Sequence, residues 1–429
     1  MHILLRFLAA NPSVRSFRFQ WLDFSGVLRA RVITRAYCLQ LQSTGSLVGL
    51  STTSMSMLVN NTQIASIEAS GLDQLHPDWN SLRLCSYCPG HAIVMCFVSR
   101  DGPQANFDHC PRTLLVEVLR KAGIAHGIQI LTGFELEFFL MDAETQDCPI
   151  QNVGGWSTSA GLRGNALLVL EEIAHALEES GIVVRQYHTE GPRGQFEISL
   201  GPLEALESVD AYVYAREATN TICANHGIKA TFCPKPLRDI YSLGEHVHIS
   251  INPCNGEEHF LAGMLKRLPA LCAFGMPSID SYFRIRDYMN SAGTWVGWGT
   301  ENKDVPVRKV DAGHWELRFT DGTANMYLTL AATIGAGLLG LQDGEELGWG
   351  DLREFPTSAG IERLSQLGMD TPMPTSIEEA ILALGQDESM SEIVGKEMLV
   401  RYITVRKTET TRLLEMTAHE RTLLYQDNF

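Results

Sequence analysis

The sequence predicts an α+β fold, and two observations carry that class. Four stretches alternate apolar and ionisable residues with a period of two, so each reads as a strand with a greasy back and a charged front. Segments of helical period lie between them, and no GxGxxG or Walker loop marks the βαβ units of a nucleotide-binding parallel sheet.

In chain order, Arg15–Leu22 and Val27–Ile33 flank Asp23-Phe-Ser-Gly26 and read as a hairpin. Residues 44–62 are rich in Ser, Thr, Gly and Met and hold no acid. After Leu75-His-Pro-Asp78 a pair of short strands, one at Ala92–Val98, closes a β-rich domain over residues 1–103. Pro111 suits a first helical position, with Leu114, Leu115, Val118 and Leu119 as the buried stripe and Gly123 as the stop. The strand Gly133–Leu140 follows, then a helix from Asn165 to Ser180 closed by Gly181. Strands are expected near Val183–Tyr187 and at 194–200, then a helix from Glu207 or Ser208 that ends by Gly227. A short strand at Lys229–Phe232 leads to the strand His246–Ile251 and one helix over about Glu257–Phe274. Residues 277–313, polar and irregular around Trp295 and Trp298, read as site loops. A strand at Trp315–Phe319, an apolar helix at Thr323–Leu341 and amphipathic helices complete a domain over 104–429.

The charged fronts converge on Gly133–Leu140. Phe134, Leu136, Phe138 and Leu140 share one face, and Glu135 and Glu137 the other. Two carboxylates side by side on a strand with an apolar back repel each other and lose hydration, a cost that a shared cation resolves. Glu197 stands with Gln195 and Ser199, His246 with His248 and Ser250, and Glu316 with Arg318, each opposite apolar residues. A solvated face would show Lys, Thr and mixed charge, so the expectation is one antiparallel sheet whose concave face is a metal site.

The net charge of −16, from 34 basic and 50 acidic residues, argues against nucleic acid and anionic membranes as partners. Ten scattered cysteines suit a reducing cytosol, and the lone Cys85-x-x-Cys88 reads as structural. No apolar run reaches membrane-spanning length and Met1–Ala10 is too short for a signal, so a cytoplasmic protein is expected. Gly154-Gly155 and Gly335-x-Gly337 read as packing contacts, not phosphate cradles.

Taken together, these motifs resemble the glutamine synthetase family over residues 15–429. Glu135-Leu-Glu137 is similar to its first metal strand and Glu190-Gly-Pro-Arg-Gly-Gln-Phe-Glu197 to its second acidic motif. His246-Val-His248-Ile-Ser250 resembles the histidine motif, Ser281-Tyr-Phe-Arg284 the substrate-arginine motif, and Trp298 through Arg308 the nucleotide loop. Glu316-Leu-Arg318-Phe-Thr-Asp321 with Ala324-Asn-Met-Tyr327 resembles the last metal and substrate strand, and Trp21–Gly26 the N-terminal β-grasp domain. The resemblance implies a curved antiparallel catalytic sheet flanked by helices, and an ATP-dependent ligase that activates glutamate as an acyl phosphate and amidates it with ammonia or an amine. It implies Glu137, Glu190 and Glu197 around one Mg²⁺ or Mn²⁺ ion and Glu135, His246 and Glu316 around a second. It puts Arg284 and Arg318 on the amino-acid carboxylates, and His248, Ser250, Lys303, Arg308 and His314 at the nucleotide. Rings of ten or twelve copies are the implied assembly.

Departures from the family pattern cluster where the substrate binds. The family's ammonium-binding glutamate after the substrate arginine has no match, since Asp287, the only acid between Ile285 and Thr300, comes too early. Its second ammonium acid is expected near residues 45–57, which hold none. The Asn-Gly pair before the histidine motif reads Tyr241-Ser242, and two phosphate-side arginines read Lys303 and His314. The expectations are therefore glutamine synthesis on the family pattern, a ligase for a larger amine or a different acid, or a catalytically silent scaffold. The Trp295–Trp298 loop and the 45–57 segment are expected to offer apolar surface to a larger amine.

Overall fold

The alternating stretches become two sheets joined by helices. The computed structural model describes residues 2–429 apart from 65–69, 101–104, 146–148, 151–152, 238–241 and 289. The expected boundary near residue 103 and the expected substrate residue Tyr241 therefore lie outside the described residues.

The first sheet holds β1 (Ser16–Leu22), β2 (Leu28–Thr34), β3 (Val48–Ser51), β4 (Leu72–Pro77), β5 (Arg83–Leu84) and β6 (His91–Arg100). Its order is β2-β1-β6-β4-β3, with β5 on β6. The expected hairpin forms, paired from Leu22 with Leu28 to Ser16 with Thr34, and β1 runs parallel to β6. Two helices flank it, α1 (Ile3–Ala10) and α2 (Arg35–Thr44), which the sequence reading left unassigned.

The second sheet carries the charged fronts. It holds β7 (Gln129–Asp142), β8 (Val184–Thr189), β9 (Gln195–Leu200), β10 (Leu203–Glu204), β11 (Ile228–Thr231), β12 (Glu245–Asn252), β13 (Trp298–Thr300), β14 (Val307–Asp311) and β15 (His314–Leu317). The order β13-β14-β15-β12-β7-β9-β8 makes β7 the hub, with β10 and β11 pairing its two ends. All of these pairs are antiparallel except β13 with β14, which is parallel. The apolar backs Phe134, Leu136, Phe196, Ile198, Val247, Ile249, Trp315 and Leu317 are all buried in the core.

Against that back pack α3 (Pro111–His126), α4 (Asn165–Glu179) and α5 (Ala205–Asn225). Behind them lie α6 (Glu257–Lys266), α7 (Leu268–Gly275) and α8 (Met326–Asp343), and then α9 (Pro356–Gln366), α10 (Ile377–Gln386), α11 (Glu388–Val394), α12 (Lys396–Leu414) and α13 (Ala418–Asn428). Helix α8 is buried on every side from Met326 to Gly340, as its all-round apolar sequence requires. Gly335 and Gly337 are packing glycines, since a Cβ on them would run into Ile393 and Phe260.

Several boundaries differ from the reading, and three of the differences have a local cause or consequence. Helix α3 runs through Gly123 and stops at Gly127, whose φ of +65° suits glycine alone at low strain. The single helix over 257–274 is two, broken at Arg267, because Pro269 in the first turn of α7 has no N–H for a continuous ladder. Residues 277–313 are not wholly irregular, since Val307–Asp311 is strand β14.

The hairpin turn ties the first sheet to the start of α8 and to α12. Asn325 Nδ2 donates to Asp23 O at 2.9 Å, Arg406 Nη2 to Phe24 O at 3.0 Å, and Ser25 Oγ to Glu409 Oε2 at 2.9 Å. Gly26 packs so tightly on the backbone of Thr323 that a Cβ has no room.

Candidate active site

Register alone sets three rungs of ionisable side chains across the front of the second sheet. Arg308, Glu316 and His248 stand opposite one another on β14, β15 and β12. His246 faces Glu135, which faces Ser199, across β12, β7 and β9. Glu137, Glu197 and His188 form the third rung across β7, β9 and β8.

Strands β7, β12 and β15 make the first group of ligands. His246 Nδ1 lies 3.5 Å from Glu135 Oε2, 3.4 Å from Glu137 Oε1 and 3.5 Å from Glu316 Oε1. Glu316 is fully buried and held from both sides, by Arg308 Nη1 at 2.6 Å and by Arg318 Nη1. Burial works against its charge, but the Arg318 guanidinium prevails and brings its carboxyl down to about 2. Burial likewise opposes the charge on Glu135, and hydrogen bonds from His246 and His248 outweigh it, so its carboxyl stays well below the ordinary range.

Strands β8 and β9 and the connection between them make a second group. His188 Nε2 lies 3.4 Å from Glu197 Oε1, and its Nδ1 lies 3.5 Å from Glu190 Oε1. Hydrogen bonding to Glu197 raises His188 to about 9, and burial with the Glu197 charge raises Glu190 to about 7. Glu137 is buried between the groups. Its Oε2 accepts from Gln195 Nε2 at 2.9 Å and Gly244 N at 3.2 Å. Burial first, then the charges of Glu190 and Glu197, push its carboxyl up to about 8.

Among the described residues, Glu135–His246–Glu316 and His188–Glu190–Glu197 each bring three ligand atoms within 4.8 Å of one another. Carboxylate oxygens with one imidazole per group suit Mg²⁺ or Mn²⁺, and acids held this high carry too much negative charge to stay ionised without a cation. The donor set therefore fits the ions that the sequence implies. All six expected ligands reach this face, whereas His188 was not anticipated. The strand reading stopped at Tyr187, and one more step of the period from Gln186 brings His188 onto the same front.

The expected nucleotide residues are more dispersed. His248 sits between Glu135, at 3.2 Å from its Nε2, and His314, at 2.9 Å from its Nδ1, so it touches the first group directly. Ser250 stands opposite His314 in the ladder. Arg308 joins Glu316 to Glu301. Lys303 is exposed, with its ammonium 6.0 Å from the centre of the Trp156 ring. Of the substrate residues, Arg318 also donates through Nε to Lys303 O at 3.0 Å. Arg284 is buried and donates to Thr320 O at 2.7 Å and Arg318 O at 2.6 Å, so its fork holds the backbone and not open space. Ser242 is half-buried ahead of β12.

The expected apolar amine surface is corrected by the packing. Trp295 joins Val305, Leu352, Leu364 and Met369 in a satellite core, and Trp298 donates Nε1 to Trp349 O at 2.9 Å. Leu50 and Met55 are buried in the main core. The exposed aromatic at the acid groups is Trp156 instead, 66 % exposed and set edge-on to His188 at 6.3 Å between ring centres. Asp287 gives its Oδ2 to the first turn of α9, accepting from Thr357 N at 2.6 Å and from Thr357 Oγ1.

A model of the glutamine synthetase catalytic domain matches residues 108–424. The protein fluG of Emericella nidulans is 30 % identical over 421 residues, covering 96 % of this chain and 49 % of fluG, so the chain spans about half the length of that relative. A gamma-glutamylpolyamine synthetase, GlnA3 of Streptomyces coelicolor, is 27 % identical over 421 residues, 91 % of this chain and 88 % of that protein. A solved GmaS/ADP complex superposes with a TM-score of 0.83 at 22 % identity, over 97 % of this chain and 98 % of that one. No helix among the described residues is long and apolar enough to cross a membrane.

Proposed function

Because the chain belongs to the glutamine synthetase family, we propose that it is an ATP-dependent ligase that joins glutamate, or a related acid, to an amine with a hydrocarbon body. In the first step a carboxylate oxygen attacks the γ-phosphorus of ATP and the bond to ADP breaks. In the second the amine nitrogen attacks the acyl carbon, phosphate leaves and the nitrogen gives up a proton. Glu135, Glu137, Glu190, Glu197, His246 and Glu316 are the residues that would hold two Mg²⁺ or Mn²⁺ ions. Bound there, such ions neutralise the crowded phosphate and carboxylate oxygens. Arg308 and Arg318 flank Glu316 and offer planar forks to phosphate and carboxylate. Arg284, through its two carbonyl bonds, positions the Arg318–Thr320 backbone. His248, His314, Ser250 and Lys303 are the candidates for binding the nucleotide.

The choice of amine rests on one observation: the exposed tryptophan Trp156 borders the acid groups. Residues 45–57 hold no acid, and Asp287 is engaged with Thr357. One charge-assisted contact to ammonium is worth about 1.5–3 kcal/mol, so losing a single such contact weakens ammonium binding by about a hundredfold. The similar S. coelicolor protein, named for a γ-glutamylpolyamine product, supports an amine larger than ammonia. The test is phosphate release with Mg²⁺ or Mn²⁺, ATP and glutamate against ammonium, alkylamines, arylamines and diamines, with the amide read by mass spectrometry. Preference for a carbon-bearing amine by about a hundredfold in kcat/KM is expected. Glutamine formed from ammonium with a millimolar or lower KM overturns the assignment.

A further inference from the structure

We propose that Cys85 and Cys88 are a dithiol that closes to a disulfide by exchange with a small disulfide such as oxidised glutathione, at the turn that seats the first sheet on α4 and α5. This turn lies between β5 and β6, on a different sheet from the acid groups.

The backbone sets the spacing. Cys88 N donates to Cys85 O at 3.0 Å and closes a β-turn over Cys85-Ser-Tyr-Cys88. Such a turn keeps its end Cα atoms within about 7 Å, and a disulfide spans about 4.4–6.8 Å between them. Cys85 N donates to His91 O at 3.0 Å and His91 N to Cys88 O at 3.2 Å, so both ends of the turn are tied to the start of β6. Both thiols are free in the structure, and the Arg18 guanidinium acts electrostatically on both sulfurs. Among the described residues no third donor joins the two sulfurs within 4.8 Å, as a metal site would require.

The two sulfurs differ as an exchange pair must. Cys88 is half-buried and within reach of solvent, whereas Cys85 is 2 % exposed. Burial pushes the Cys85 thiol up to about 12 against the pull of Arg18, so Cys85 waits as a thiol. The Cys88 thiolate attacks one sulfur of oxidised glutathione, that S–S bond breaks and one glutathione thiolate leaves. The departing thiolate takes the Cys85 proton, and the Cys85 sulfur attacks Cys88 to form the protein disulfide. The second glutathione leaves as a thiolate and regains from water the proton that Cys88 gave up. Two electrons thus pass from the protein to one small disulfide, which becomes two thiols. Ser86 and Tyr87 lie inside the ring that this bond closes. Ser86 N donates to Tyr214 Oη at 2.9 Å, Ser86 Oγ meets Ser180 Oγ at 2.8 Å, and the Tyr87 ring stands edge-on to Tyr214 at 5.2 Å between centres. Tyr214 belongs to α5 and Ser180 caps α4, so the redox state of the pair bears on how the first sheet docks.

The full chain is equilibrated in glutathione buffers from fully reduced to mostly oxidised, quenched in acid, denatured and alkylated with N-ethylmaleimide. Peptide mass spectrometry then reads each cysteine in the parent, Cys85→Ser, Cys88→Ser and Cys254→Ser, with circular dichroism to confirm folding. The reduced parent should take ten labels and the oxidised parent two fewer, both missing from Cys85 and Cys88. Cys85→Ser should stop at a glutathione adduct on Cys88, and Cys88→Ser should leave Cys85 unmodified. Cys254→Ser, which lacks the exposed thiol, should behave as the parent. The oxidised parent should also exchange the Ser86 amide hydrogen more slowly, because the disulfide holds the turn beneath Tyr214. Ten labels at every glutathione ratio, or a disulfide that needs Cys254, overturns the proposal, as does a bare Cys88 in folded Cys85→Ser. Unchanged or faster exchange at Ser86 in the oxidised parent overturns the docking role. If Cys85→Ser does not fold, the label count on the parent still decides.

Discussion

Replacing Glu137 by Gln should make the ion-free protein more stable and the metal-loaded protein less so. Glu137 is 8 % exposed, and Glu190 and Glu197 crowd it with like charge. Its carboxyl titrates at about 8 in the folded chain, against an ordinary value of 4.5. The folded state therefore keeps a proton that the unfolded chain has released, and stability falls as pH rises from 4.5 toward 8. A pH of about 7.5 lies roughly three units above the unfolded value and still below the folded one, which at about 1.4 kcal/mol per unit sets a ceiling near 4 kcal/mol. Relaxation around the site lowers the recoverable part to about 2–4 kcal/mol. Glutamine keeps an acceptor oxygen for Gln195 and Gly244, so the shape and both hydrogen bonds survive. Urea unfolding at one protein concentration, near pH 7.5, with EDTA or with millimolar Mn²⁺, reads both signs. A variant at least 1 kcal/mol less stable than the parent in EDTA would refute the reasoning, because Glu137 would then be stabilised without an ion.

Other outcomes follow from the same geometry. The rise in melting temperature on adding Mn²⁺ should be larger near pH 8 than near pH 6, because Glu137 (about 8) and Glu190 (about 7) must lose protons to bind; thermal scans at both pH values check this, and equal shifts count against it. Arg318→Ala should cost about 2–3 kcal/mol in urea unfolding, since buried Glu316 loses one of its two guanidinium partners. Gly337→Ala, which drives a methyl into Phe260, should cost about 1–3 kcal/mol, whereas Gly385→Ala, in open space on α10, should gain about 0.5–1 kcal/mol. Asp287→Asn should leave the ammonium KM unchanged, since that side chain serves Thr357, and a large rise would restore an ammonium role to it. Light scattering should show a closed ring of many copies, and an active monomer would exclude the ring.

The charged strands were legible because a period of two survives wherever one face is buried and the other ionisable. Phe134 against Glu135, or Val247 against His248, fixes face and register without any help from the rest of the chain. Short strands carried no such signal. Strand β5 has two residues and β10 two, and their pairing is decided by the longer strands they lie beside. Gly123 reads as a stop because glycine weakens helices, yet the α3 stripe of Leu115, Val118 and Ala122 is buried through that point and packing prevails. Trp156 was missed for a different reason. Its meeting with His188 depends on a loop folding back over a strand end, which no local periodicity encodes.

The Asp23–Gly26 turn also has a history within each molecule. Its local bonds, from Ser25 N, Val27 N and Arg29 to the Asp23 carboxylate, can form as soon as the hairpin exists. Its bonds to Asn325, Arg406 and Glu409 cannot, and Glu409 lies 384 residues further along the chain. At a synthesis rate of about 5–20 residues per second, that separation is a wait of roughly 20–80 s. For that interval the nascent hairpin presents Phe24, a bare carbonyl and an unfilled seat for the Glu409 carboxylate. This early-made turn is thus among the last parts of the fold to be finished, and a pause late in its synthesis leaves its effect far upstream.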